Sequence, residues 1–348
     1  MKKHVFRGVS VLLAIAFILG LASAAFAGGA KEQAGQKPRF AFVFKNTGNP
    51  YGEKQMEGFR VGIEEQGFQA ILRAPDQPTA EAQIQIIEQL IAQKVAAMVI
   101  TANDYNALEP VCKKARNAGI AVLSADSALN PASRITHINQ ADSEKIGRTL
   151  IQAAYEMAKG SGEIAILSAT SQASNQNLWI DWMKKELAEN PQKYANLKLV
   201  RVAYGDDLRD KSVAETEGLL QTFPNLKVII APTTVGIAAA GRVVTDRKLI
   251  GKVYITGLGL PSEMAEYIQN GACPYMFLWN PIDVGYLSAY AATAAVNGKI
   301  TGKAGETFSA GRLGNFTIVP ANDGGTEVLL GAPFRFDKSN IEEWKKVY

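Results

Sequence analysis

Short apolar runs alternate with longer amphipathic ones along nearly the whole chain. The runs 39–44 (RFAFVF), 97–101 (AMVIT) and 120–124 (IAVLS) are continuously apolar, as expected of parallel strands covered on both faces. Between them, 50–66, 80–93 and 106–118 carry apolar residues at helical spacing, with Ile84, Ile87, Leu90 and Ile91 on one face of the second. A further strand is predicted at 69–73 and an extended run at 135–139, and Gly67 and Gly119 sit just past two of the helices. The rhythm then repeats. Helices are predicted at 143–159, 179–188, 210–222, 236–247 and 262–270, and strands at 163–167, 197–203, 228–231 and 253–256. Two consecutive βα series of similar length predict an α/β fold of two Rossmann-like lobes, each built on a parallel sheet. No short period recurs, so the pattern is lobe duplication and not a solenoid.

Ahead of the first strand, Lys2, Lys3 and Arg7 flank an apolar stretch over 9–20, and Ala25-Phe26-Ala27 fits the small-residue rule for signal cleavage. Residues 1–27 are therefore predicted to be an export signal and 28–38 a polar tether; the alternative is an uncleaved membrane anchor, since the apolar stretch approaches spanning length. No cysteine lies near the cleavage point, so no lipid anchor is indicated. Of the 348 residues, about 320 remain, enough for two domains of ordinary size. The formal charge is +4, and Lys2, Lys3 and Arg7 leave with the signal. The remainder is near neutral with no basic run, so no nucleic-acid partner is expected. His137 is the one histidine left besides His4, which argues against a zinc site or a histidine-based triad; no cofactor is expected. Cys112 and Cys273 do not make a disulfide framework. Cys112 sits in a helical pattern that predicts a buried thiol, and pairing of the two stays open.

Candidate chemistry gathers at the carboxyl ends of the strands, where open α/β sheets place ligands. The stretch 168–183 (SATSQASNQNLWIDWM) spends small and polar residues before a helix predicted to begin near Asn177 or Leu178. Asn175 and Gln176 offer amide donors and acceptors, and Trp179 and Trp182 follow. Amides beside an indole face suit a sugar, with its hydroxyl edges and C–H faces; the alternative is a capped helix with core tryptophans. Lys45 and Asn46 follow the first strand, Asp126 the fourth, Pro232, Thr233 and Thr234 the strand at 228–231, and Gly259 the strand at 253–256. Asp126 alone reads as a cap and Lys45 alone as a solvated lysine; their shared position at strand ends singles them out. Lobes that face each other with these ends would bring the set to one cleft. The rival is an exported enzyme using Asp126 with Asp206 or Asp207 as paired carboxylates. Those two aspartates read more simply as a turn at the favourable end of the helix from Asp210.

These residues carry a resemblance. The leader, the two βα lobes and the polar strand ends are similar to periplasmic sugar-binding proteins of the ribose-binding type, the solute receptors of ABC importers. Asn175-Gln176-Asn177, Ile230-Ala231-Pro232 and Asp126-Ser127 resemble the branch containing rhamnose-binding proteins and the autoinducer-2 receptor. Tyr204-Gly205-Asp206-Asp207, the segments 231–236 (APTTVG) and 256–264 (TGLGLPSEM), and Trp279-Asn280-Pro281-Ile282-Asp283 resemble the rhamnose-binding members more closely. The resemblance implies a fold of two lobes joined by a three-stranded hinge, with 39–138 plus 280–302 in one lobe and 139–279 plus 303–348 in the other. It places crossings near Asn139, near Trp279 and near Gly305.

The resemblance further implies a monosaccharide ligand, a membrane permease as partner, a monomer and no catalysis. Lys45, Asp126, Gln176 and Pro232 fall where autoinducer-2 receptors contact their ligand. Asn175 stands where those receptors have aspartate and Thr234 where they have alanine, which favours L-rhamnose over autoinducer-2. Trp279 or Trp179 would meet the sugar's methyl group, and Asn280 joins the candidate set beside Trp279. A sensor feeding a signalling partner is compatible with the same features. A DNA-binding regulator of this fold would need a helical domain where the leader stands.

Overall fold

The computed structural model describes Lys37–Tyr348; the leader expected over 1–27 and the tether up to residue 36 lie outside the described residues. Strands β1 (Arg39–Val43), β2 (Gln69–Arg73), β3 (Ala97–Ile100), β4 (Ala121–Ala125) and β5 (His137–Asn139) open the chain, with helices α1 (Pro50–Glu65), α2 (Ala80–Ala92) and α3 (Glu109–Asn117) between the first four. They pair in parallel in the order β5-β4-β3-β1-β2. Every residue of β3 is buried, the physical reason for its unbroken apolar run.

Next come α4 (Ser143–Met157), β6 (Gly162–Ser168), α5 (Ser174–Glu189), β7 (Leu197–Tyr204), α6 (Arg209–Thr222), β8 (Leu226–Ala231), α7 (Thr234–Asp246), β9 (Tyr254–Gly257) and α8 (Pro261–Asn270). Their strands form a second parallel sheet, β7-β6-β8-β9. A bridge from Leu258 to Phe277 sets β10 (Tyr275–Leu278) beside it. The two series are the two lobes.

The C-terminal quarter ties them together. Helix α9 (Pro281–Val296) returns to the first lobe and packs along α1. After the hairpin β11 (Thr307–Ser309) and β12 (Asn315–Thr317), strands β13 (Val319–Pro320) and β14 (Thr326–Leu329) extend the first sheet, β14 lying parallel to β5. Then β15 (Phe334–Asp337) pairs antiparallel with β10, and α10 (Ile341–Trp344) packs on α8. The chain therefore crosses between lobes after Asn139, after Leu278 and after Leu329. The third crossing corrects the expectation of one near Gly305 with all of 303–348 in the second lobe. Short strands with few apolar residues gave no pattern there from which to read the partner sheet.

Helix starts also differ from expectation. α5 begins at Ser174 rather than near Asn177, because Asn175 Oδ1 accepts from the Gln176 backbone N–H (2.8 Å) in place of a carbonyl of an earlier turn. Cys112 and Cys273 are both buried and unpaired, and burial pushes the Cys112 thiol up to about 12 and Cys273 higher than its usual range. Neither is a reactive thiolate.

His137 in β5 is buried with Nδ1 2.9 Å from Ser124 Oγ. Burial, aided by the nearby Arg134 guanidinium, pushes its pKa down to about 3. In the unfolded chain the imidazole takes up its proton near pH 6.5. Its contribution is therefore complete above about pH 6.5 and is lost as the pH falls toward 3, reaching about 2 kcal/mol at pH 5. Urea unfolding at pH 7.5 and pH 5 should show that difference, and His137→Gln should shrink it; an equal slope in the variant would assign the acid sensitivity elsewhere.

Candidate functional site

A cavity lies where the two lobes and the hinge meet. Nine of the residues singled out from the sequence line it: Lys45, Asp126, Asn175, Gln176, Trp179, Pro232, Thr233, Thr234 and Trp279. The rest of the wall comes from Phe44, Asn49, Tyr51, Asp207, Leu258 and Leu278.

Asp126 stands at the end of β4 with φ +63°, a left-handed conformation that Asp tolerates better than most residues. Its carboxylate accepts on Oδ2 from the Tyr51 hydroxyl (2.6 Å) and Gln55 Nε2 (3.3 Å), and on Oδ1 from Asn175 Nδ2 (2.6 Å). Tyr51 and Gln55 lie one turn apart on α1, so one helix face aims both at the same oxygen. The Tyr51 oxygen in turn accepts from Trp279 Nε1 (2.6 Å). Trp279 occupies the crossing between β10 and α9. A single carboxylate is thereby bonded, directly or through one hydroxyl, to the first lobe, the second lobe and the hinge.

Burial raises the Asp126 pKa and Asp207 adds to it, while Lys45, Tyr51 and Gln55 oppose the rise. Burial and then the Asp126 charge hold the Tyr51 phenol well above its usual range, so it remains a proton donor. Such charge-assisted bonds are short and strong.

Lys45 is placed by a buried scaffold. Gln83 Nε2 donates to the carbonyls of Phe44 (3.0 Å) and Thr101 (2.8 Å), and Asn103 Nδ2 donates to the Lys45 carbonyl (2.8 Å). These bonds satisfy the strand ends and fix the direction in which the chain leaves β1. On α5, Asn175, Gln176, Trp179 and Met183 share the buried face, and Gln176 Oε1 accepts from Ser168 Oγ (2.7 Å) and the Ala169 N–H (2.8 Å). Its oxygen so committed, Gln176 presents its amide nitrogen to the cavity. The Trp179 and Trp279 rings lie 5.8 Å apart and form an apolar corner.

Three candidates fall away from the cavity. Asn46 is buried with Oδ1 unpartnered and lies off the cavity wall. Asn280 Oδ1 caps α9 by accepting from the Ile282 N–H (3.0 Å). Gly259 packs against Met276, Met264 and Ile237, where an added Cβ would come within 2.5 Å of the Met276 sulfur.

Tyr51 was not foreseen, and Asp207 was weighed only as an enzyme's paired carboxylate or a helix-start turn, not as a residue of the sugar cavity. Tyr51 gives no motif, although its place in the first turn after the Asn49 cap is a helix amino terminus at the cleft edge. Asp207 lies in the segment 204–207 and is buried, with the Thr233 hydroxyl donating to its Oδ1.

Residues 40–300 match the profile of the family described as periplasmic binding protein domain. An ABC transporter solute-binding protein from Clostridium phytofermentas, solved with bound L-rhamnose, is 48% identical and superposes with a TM-score of 0.88 over 90% of this chain and 99% of its own. LsrB from Clostridium saccharobutylicum in complex with AI-2 superposes with a TM-score of 0.82 at 21% identity, over 88% of this chain and 99% of its own. That likeness is one of fold. The D-ribose/D-allose-binding protein of Pseudomonas aeruginosa is 26% identical over 244 residues, 68% of this chain and 75% of the relative.

Proposed function

We propose a function from one premise: the chain belongs to the periplasmic binding protein domain family, as a sugar-binding solute receptor of the ABC type. Its ligand is L-rhamnose, held in the cavity between the lobes and delivered to a membrane permease by lobe closure. The observation that carries this reading is the Asp126 carboxylate, which joins a first-lobe helix, a second-lobe amide and, through Tyr51, the hinge tryptophan. Sugar hydroxyls donating to Asp126 and accepting from Lys45 and Gln176 would join the same network. A ligand contacting both lobes favours the closed arrangement by its differential affinity, and closure is what a permease can sense. No reacting group is needed.

The rhamnose-bound relative at 48% identity supports the choice of sugar. So does Thr234, a hydroxyl lining the cavity, while Asn175 already spends its amide nitrogen on Asp126. The export signal over 1–27 fits an extracytoplasmic receptor that acts as a monomer.

Calorimetric titration of the chain from residue 28 with L-rhamnose, autoinducer-2, ribose and L-fucose tests the reading. Tight one-to-one binding of rhamnose alone is expected. Autoinducer-2 binding with rhamnose silent would move the chain to the signalling branch. Trp279→Ala should weaken rhamnose by tenfold or more, since it removes both an apolar wall and the donor that orients Tyr51; unchanged affinity would take Trp279 out of the site.

A further inference from the structure

We propose that Asp207 is a specificity-determining residue that sets the charge class of the ligand: with Asp126 and Lys45 it makes the cavity accept neutral sugars and reject those bearing a carboxylate or phosphate. The inference rests on the reading of this cavity as a sugar site and adds a rule for which sugars enter.

The loop carrying Asp207 is built rather than loose. Gly205 N–H donates to the Ser168 carbonyl (2.8 Å) and Asp206 N–H to that of Ala169 (3.1 Å), which pins the loop to the end of β6. Asp206 and Asp207 then both take left-handed backbone angles, φ +55° and +53°. Two such residues in succession are unfavourable for side chains with a Cβ and persist where the surroundings impose them. The result separates the pair. Asp206 turns out to Lys211, while Asp207 is 9% exposed and turns into the cavity. A turn that served only to start α6 would not need to bury a carboxylate.

Asp207 Oδ1 is taken by the Thr233 hydroxyl, and Oδ2 has no donor among the described residues. That oxygen is left for a ligand hydroxyl. Lys45 lines the same cavity from the other lobe, and its charge acts on both Asp207 and Asp126. The lining holds two carboxylates, one ammonium and no arginine. With all three charged groups desolvated, a ligand must bring donors to two acids and an acceptor to one amine. A hydroxyl does both; a carboxylate or phosphate ligand brings acceptors only, which suit the one amine and leave the two acids without donors.

Asp207→Asn is the decisive variant. Asn is the side chain after glycine most at ease in the left-handed region, and its Oδ1 still accepts from Thr233, so the loop is kept. Wild type and variant are titrated with L-rhamnose, then challenged by competition with L-mannose and L-mannuronate, which replace the methyl with a neutral and an anionic group. The variant should bind rhamnose about 10- to 100-fold more weakly, as expected for losing a hydrogen bond to a charged acceptor. It should also narrow the preference for mannose over mannuronate by tenfold or more. A variant with unaltered rhamnose affinity, or with an unaltered neutral-to-anion ratio, overturns the proposal. Failure of the wild type itself to bind rhamnose would instead strike the reading of the cavity.

Discussion

Replacing Asp126 with alanine should reduce L-rhamnose affinity by about 30- to 5,000-fold while leaving a folded protein. Truncating one member of a buried, hydrogen-bonded charged group costs about 2–5 kcal/mol, mostly because its partners are left without acceptors. Here those partners are Tyr51, Gln55 and Asn175, which belong to both lobes. The loss therefore reaches beyond one sugar contact to the alignment of the closed state. Stability should suffer less than binding, because burial already raises the Asp126 pKa and its removal relieves that desolvation. Asp126→Asn is the sharper test. Its amide would set a donor against at least one existing donor, and Asn175 cannot turn its oxygen inward without giving up the bond from the Gln176 N–H. A loss of about a hundredfold is expected for it. Calorimetry at pH 7.5, with a melting curve for each variant, decides the matter; an alanine variant within tenfold of wild type would remove Asp126 from the binding site.

The candidate residues legible in the sequence share one property. Lys45, Asp126, Pro232 and Thr233 stand at the ends of strands whose apolar runs are unmistakable, so their position could be counted along the chain. Asn175 and Gln176 were found for the same reason, though the helix that carries them starts earlier than its apolar pattern does. What escaped was direction. Asn46 and Lys45 are adjacent, and only the bend of the chain as it leaves β1 decides that Lys45 lines the cavity and Asn46 does not. Asp207 was read as a helix-start turn because its inward direction depends on two left-handed residues, a backbone event with no hydrophobic signature. Tyr51 escaped because an aromatic in the first turn of an amphipathic helix ordinarily serves the core. The third interlobe crossing was misplaced for a different reason. β14 has four residues, and only its pairing with β5 says which sheet it joins; that is a long-range choice.

Gly285→Ala should lower the melting midpoint by about 5 °C or more, the second large effect expected. An added Cβ at Gly285 would sit 1.8 Å from the Gln55 carbonyl oxygen and 2.7 Å from the Phe59 nitrogen. The reciprocal position on α1, Gly58, would place a Cβ 1.9 Å from the Ile282 carbonyl oxygen. Both obstacles are backbone, so no side-chain rotation relieves them, and α1 and α9 must part by more than about 1 Å in a tightly packed interior. Overpacking of this kind costs about 3 kcal/mol or more, which converts to the stated shift for a chain of this size. Gly218→Ala is the control: Gly218 lies within α6 with nothing near its would-be Cβ, and alanine there should raise stability by about 0.5–1 kcal/mol. The same displacement carries a functional consequence. Tyr51 and Gln55 ride on α1, and Trp279 lies two residues before α9, so parting the helices pulls the donors of Asp126 away from the hinge. Gly285→Ala should thus lose rhamnose affinity below its melting transition, whereas Gly218→Ala should bind as wild type does. A folded Gly285→Ala protein with wild-type affinity would mean that the α1–α9 contact supports stability alone and does not hold the carboxylate network in register.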